Sequence, residues 1–163
     1  MRVGIISDTH DNIAATERAI EIFHEEGIET IVHCGDFIAP PVISYFEEFT
    51  LHGVLGNNDG EVEGLERAFE SIDGELHGRF ANLELGGARF AVLHGESKEE
   101  VEAYAESGEY DYVLYGHHHE HEQREVGDTL VVNPGAQFPT VPEKHRTVAI
   151  LDTDSGEVVF ESV

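Results

Sequence analysis

One cysteine, Cys34, stands in the 163-residue chain, so no internal disulfide can form. It closes an apolar run, Ile31-Val32-His33-Cys34, where a small buried thiol is expected rather than a redox or metal-binding group. Lysine is nearly as scarce, with only Lys98 and Lys144. No apolar run approaches the roughly 18 residues that a bilayer span needs. The opening Met-Arg-Val-Gly-Ile-Ile reads as a strand, not as a signal peptide. A cytoplasmic protein with no membrane partner is therefore expected. Repeats, low-complexity tracts and linker-like stretches are also missing, which points to one domain over residues 1–163. No Gly-x-Gly-x-x-Gly follows the first apolar run, so a dinucleotide-binding unit is excluded.

Positive charge is short as well. Against 34 acidic residues there are 9 basic ones, and the formal net charge is -25. Such a surface repels nucleic acid and anionic membranes, because grip on phosphate backbones rests on Lys and Arg. The acids are dispersed rather than gathered in a tail. Few lysines and scattered carboxylates resemble proteins of halophiles, which work where salt shrinks the screening length to about 3 Å at 1 M. A halophilic protein that needs molar salt for stability is the expectation.

What is present is a regular alternation of elements. Val3 to Ser7 and Thr30 to Cys34 read as buried strands flanking a helix that starts near Asn12 and closes at Gly27. Pro40-Pro41 opens a short helix to about Glu48, and Thr50 to Val54 reads as a third strand. Phe80–Leu85 and Ala88–Leu93 around Gly86-Gly87 form a predicted hairpin. A helix from Lys98 to about Ser107 follows, with Ser97 and Glu100 as a capping box. Further strands are expected at Tyr112–Tyr115, Gln123–Val126, Thr129–Val132, Thr147–Leu151 and Glu157–Val163. The pattern predicts an α/β fold, a two-sheet α/β sandwich with flanking helices, its first sheet parallel and its second mixed.

Chemistry-bearing residues gather at the strand ends. Asp8-Thr9-His10, Gly35-Asp36, Gly56-Asn57-Asn58-Asp59, His94-Gly95 and Gly116-His117-His118-His119 each follow a predicted strand. Open α/β sheets bind ligands beyond the carboxyl ends of their strands, so these loops can converge. In extended backbone, residues two apart, such as Asp8 and His10 or His117 and His119, project to one side. Taken singly, Asp8 suits a helix cap and Asn57-Asn58-Asp59-Gly60 suits a turn. Taken together they offer three oxygen donors and four imidazoles. That set suits Mn²⁺, Fe, Co²⁺, Ni²⁺ or Zn²⁺ better than an all-oxygen Mg²⁺ site.

The series Asp8-x-His10, Gly35-Asp36, Gly56-Asn57, His94-Gly95 and Gly116-His117-x-His119 resembles the calcineurin-like metallophosphoesterase superfamily. The short chain and Asn133-Pro134-Gly135 resemble its small YfcE-like phosphodiesterase branch. The resemblance implies two divalent metal ions, Mn²⁺ first among the candidates. One would take Asp8, His10 and His119, the other Asn57, His94 and His117, with Asp36 bridging. A hydroxide between the metals would attack a small phosphodiester. Asn58 occupies a position where larger members carry a histidine proposed to protonate the leaving group, and Asp59 is a candidate to orient a ligand. His121 stands where a proline is common, so a register shift of the last motif is open. Two alternatives share the fold: a phosphomonoesterase acting on a small metabolite, and a protein-binding scaffold like the retromer-coat relative. Retention of all seven ligand residues favours the enzyme. Homo-oligomerisation is left open.

Overall fold

Strand β1 (Arg2–Ile6) lies at the centre of the first sheet because Val3, Ile5 and Ile6 are fully buried and need cover on both faces. The computed structural model describes all of residues 1–163. After β1 come α1 (Ile13–Glu25), β2 (Thr30–His33), a 3-10 turn (Pro40–Phe46), β3 (Thr50–Gly53), α2 (Val62–Ser71) and β4 (Glu75–Leu76). The hairpin β5 (Phe80–Leu85) and β6 (Ala88–Leu93) leads to α3 (Lys98–Glu106) and β7 (Tyr112–Leu114). The chain then adds β8 (Glu122–Val126), β9 (Thr129–Asn133), β10 (Thr147–Asp152) and β11 (Val158–Ser162).

Six strands form one sheet in the order β11-β10-β1-β2-β3-β4, and five form the other in the order β5-β6-β7-β9-β8. β1 to β4 run parallel, but β10 pairs antiparallel with β1, so the first sheet is mixed and not wholly parallel as expected. The late strands Thr147–Asp152 and Val158–Ser162 cause this, since they return to the first sheet. In the second sheet β6, β7 and β9 run parallel between antiparallel edges.

Side-chain alternation sorts three apolar clusters into layers. Val3, Ile5, Val32, Cys34 and Val54 meet Phe90, Val92, Leu114 and Val132 between the sheets. Ile6 and Ile31 face the opposite way, against Phe23 of α1 and Phe69 of α2. Ala91, Leu93, Val113 and Val131 support Val101 and Ala105 of α3. The result is the expected two-sheet α/β sandwich with flanking helices. Cys34 is fully buried in the middle layer, and burial pushes its thiol well above its ordinary range.

Two local expectations change. Helix α2 and strand β4 occupy residues left without an element in the sequence reading. Ser97 does cap α3, accepting from the Glu100 amide at 3.2 Å while its hydroxyl donates to Glu99, but the Ser97 amide makes no bond to the Glu100 carboxylate, so the reciprocal half of a capping box is missing. Asn12 caps α1 by accepting from the Ala15 amide. No helix is long and apolar enough to cross a membrane.

Candidate metal centre

The loops after β1, β2, β3, β6 and β7 meet at one end of the sandwich. Asp8 is fully buried, and its Oδ1 stands 3.2 Å from His119 Nε2, 3.5 Å from His10 Nε2 and 3.8 Å from His94 Nε2. Asp36 Oδ2 lies 3.2 Å from His10 Nε2 and 3.4 Å from His94 Nε2. Asp8, His10 and His119 bring their ligand atoms within 4.8 Å of one another, and so do Asp8, Asp36 and His94. Asp36 thus stands between His10 of one group and His94 of the other. Asn57 and His117 pair at the rim, Oδ1 to Nδ1 at 3.1 Å, with the His117 ring 5.1 Å from that of His94.

The backbone achieves this by strain rather than by the extended geometry expected for Asp8-x-His10 and His117-x-His119. Asp8, His10, Asp11, Asp36, Ile38, His117 and His119 all have positive φ, between 45° and 78°. Non-glycine residues rarely adopt that region, and each instance costs on the order of 1 kcal/mol or more. Only one other such residue, Asp73, lies outside these loops. Two glycines permit close approach: a Cβ on Gly56 would collide with the Asp36 carboxylate, and one on Gly116 with Ser7 and Asp8.

A frame of hydrogen bonds holds the loops. Asp59, nearly buried, accepts from the amides of Asp36, Gly56 and Ile38 at 2.8, 2.7 and 2.9 Å. Asn58 donates to both oxygens of Asp36, from its amide nitrogen at 2.9 Å and from Nδ2 at 2.8 Å. Asn58 and Asp59 therefore turn inward to Asp36. Asn133 Nδ2 donates to the Gly116 carbonyl, and the Gln137 amide donates to the Asp8 carbonyl. His121 turns away from the centre: its ring stacks on Phe160 and meets His145 edge-on. His118 Nε2 donates to the Gly95 carbonyl at 3.0 Å.

Two residues were invisible as site residues in the sequence. His33 lies fully buried under the centre, accepting from the Gly35 amide at Nδ1 and meeting Thr9 Oγ1 at Nε2. Burial drives its pKa down to about 3, so it is a neutral strut. Phe138 packs against both His10 and His119, with ring centroids 4.3 and 4.6 Å away. The apolar run around His33 hid the first, and only the fold brings Phe138 to Asp8's loop.

Protonation follows from this crowding. Burial opposes ionisation of Asp8 and Asp36, but the imidazoles beside them outweigh it and hold both carboxyls well below the usual range. Burial likewise opposes charge on His10, yet Asp36 and Asp8 raise it to about 9. His94 is raised by the same carboxylates against its burial, whereas burial and neighbouring imidazoles lower His117.

The donor set fits divalent metal ions. His94 Nδ1 donates to the Cys34 carbonyl at 2.7 Å, which turns Nε2 toward Asp36. That Nε2, like that of His10, is buried and makes no well-formed hydrogen bond. Metal-ligating histidines commonly donate their other nitrogen to a backbone carbonyl in this way. Mixed imidazole and carboxylate donors suit first-row divalent ions.

The family model of the calcineurin-like phosphoesterase superfamily domain matches residues 1–156. The phosphodiesterase MJ0936 of Methanocaldococcus jannaschii is 40% identical over 163 residues, covering 96% of each chain. The phosphodiesterase YfcE of Escherichia coli is 24% identical over 98% of this chain and 91% of its own. A solved archaeal phosphodiesterase superposes with a TM-score of 0.91 at 39% identity, over the full length of both chains. Zinc-bound Vps29 of Entamoeba histolytica shares the fold, with a TM-score of 0.72 at 20% identity over 100% of this chain and 98% of that one. With the family model spanning nearly the whole chain and the relative at 40% identity covering 96% of it, the chain belongs to the calcineurin-like phosphoesterase superfamily.

Proposed function

We propose that this protein is a metal-dependent phosphodiesterase whose centre is held by Asp8, His10 and His119 on one side and Asn57, His94 and His117 on the other, with Asp36 between. The observation that carries the reading is the buried Nε2 of His10 and of His94, each turned onto Asp36 without a well-formed hydrogen bond. Two divalent ions there, Mn²⁺ first and Ni²⁺, Fe, Co²⁺ or Zn²⁺ as alternatives, supply Lewis acidity that activates water and offsets charge on the phosphoryl group.

The chain's own residues supply position. Asn58 and Asp59 fix the Asp36 carboxylate and its loop, so both serve as positioning residues and not as proton donors. An amide cannot deliver a proton at neutral pH, so esters with leaving groups of low pKa are favoured. Asp8 and Asp36 stay ionised and keep His10 charged until a metal displaces its proton. The scarcity of Lys and Arg argues for a small phosphate ester over nucleic acid.

The test is hydrolysis of an activated phosphodiester and its matching monoester in molar KCl, after chelation and after adding each metal, with Asp36→Ala as control. Diester cleavage restored by metal and lost in the variant supports the proposal. No turnover with any metal, in a protein shown to be folded, overturns it in favour of a binding scaffold.

A further inference from the structure

At the edge of the first sheet, β4 is only two residues long, yet its Glu75 joins His52 of β3 and His77, just beyond β4, in a separate group of metal-type ligands. Glu75 is the register partner of His52 on β3, and the His77 amide donates to the Gly53 carbonyl at 2.9 Å. This pairing stacks the two imidazoles, with ring centroids 5.3 Å apart and planes 26° from parallel. His52 Nδ1 and His77 Nε2 stand 3.1 Å apart. Glu75 Oε2 lies 3.8 Å from the same His77 nitrogen, and one ligand atom from each residue falls within 4.8 Å of the others.

We propose that His52, Glu75 and His77 form a further divalent-metal site, separate from the phosphoesterase centre and sharing no residue with it. Nitrogens bound at about 2.0–2.1 Å to a tetrahedral ion stand roughly 3.3 Å from each other. The observed 3.1 Å separation is thus already near that spacing, on backbone fixed by strand pairing. His52 is nearly buried, which fixes one ligand, while the Glu75 carboxylate is exposed and free to swing the short distance inward. An open hollow of about 360 Å³ adjoins the group, lined by Glu66, Glu70, Glu75 and His77, and its carboxylates favour a cation.

Two imidazoles and one carboxylate select Zn²⁺, Ni²⁺, Co²⁺ or Cu²⁺ over Mg²⁺ or Ca²⁺, with water completing the shell. The ion would tie β4 to β3. It would also brace the segment leading to the Asp59 loop, since the Leu55 amide donates to the Gly78 carbonyl beside His77. The site is structural, and it gives the protein one ion more than its reaction uses.

The experiment is an ion count. Protein stripped by chelation is dialysed to equilibrium against buffered low-micromolar Zn²⁺, and metal per chain is measured for the intact protein, His77→Ala and Glu75→Gln. Intact protein is expected to hold one more ion than His77→Ala. Zn²⁺ should raise its melting temperature by more than that of His77→Ala. Glu75→Gln, an exposed change, should bind the extra ion more weakly and keeps the test open if His77→Ala folds poorly. Equal counts in intact protein and folded His77→Ala, or an unchanged affinity for the extra ion in Glu75→Gln, overturn the site. The comparison is a difference between variants, so it stands whatever the phosphoesterase centre binds. Diester turnover with Mn²⁺, expected unchanged in His77→Ala, tests that other reading separately.

Discussion

The two sheets contribute unlike things to the same centre. The first sheet supplies every oxygen donor, Asp8, Asp36 and Asn57, together with one imidazole, His10. The second supplies imidazoles alone, His94, His117 and His119. Carboxylates are thus packed into one wall and imidazoles alone into the other, and both close groups of ligand atoms at this centre span the two. The difference teaches that neither wall brings the donors of this centre together by itself. Asp36 touches His10 from its own sheet and His94 from the facing one, whereas His119 reaches only Asp8 among the carboxylates.

The sharpest way to break this comparison is to remove one residue from each wall. Asp36→Ala should bring diester turnover to the uncatalysed background, while His119→Ala retains measurable turnover at high metal. Equal losses in steady-state assays would erase the distinction between a shared and an unshared ligand. Asp59→Ala leaves both walls chemically intact but deprives three amides of their acceptor. It should cost on the order of 2–4 kcal/mol in denaturant unfolding and about 10–100-fold in metal affinity or turnover.

A pH series sharpens the comparison from the proton side. In the metal-free protein His10 titrates near 9, above its ordinary 6.5. Its contribution to folding is therefore full below pH 6.5 and is lost as pH rises through about 9. The melting temperature of stripped protein should fall over that window. Metal affinity should climb over the same window as the competing proton leaves. Both trends should weaken in His10→Ala, and calorimetry at several pH values reads them. The smallest expected effect separates the centre from the outer surface. With a net charge of -25, the protein should melt at a higher temperature in molar KCl than in dilute buffer. A melting temperature that does not rise would refute the halophilic reading.

Most of the architecture was legible because buried strands announce themselves as Val/Ile runs, and because Asn12, Pro40, Gly86-Gly87 and Ser97 mark element ends by local chemistry. Helix α2 was not legible for the converse reason. It is ten residues long, carries Gly64, and starts at Val62 after Glu61, whose side chain makes no cap, so only Leu65 and Phe69 betray its buried face. The ligand types were readable from strand ends, but not the left-handed backbone that aims them, which is imposed by contacts such as Asp59 to the Asp36 amide. Pairings across the fold, Phe138 on His10 and His119 or His33 beneath Thr9, have no local signature at all.

The spread of the ligand loops along the chain bears on how the protein matures. Asp8 and His119 are 111 residues apart, and β1 completes its sheet only by pairing with β10. Contacts of such long range form late in folding because their loop-closure entropy must be met first. During synthesis an emerging chain holds Asp8, His10 and Asp36 long before any second-sheet imidazole exists. Metal capture at the proposed centre would therefore be a late event, and a loaded centre would be evidence that both sheets have closed.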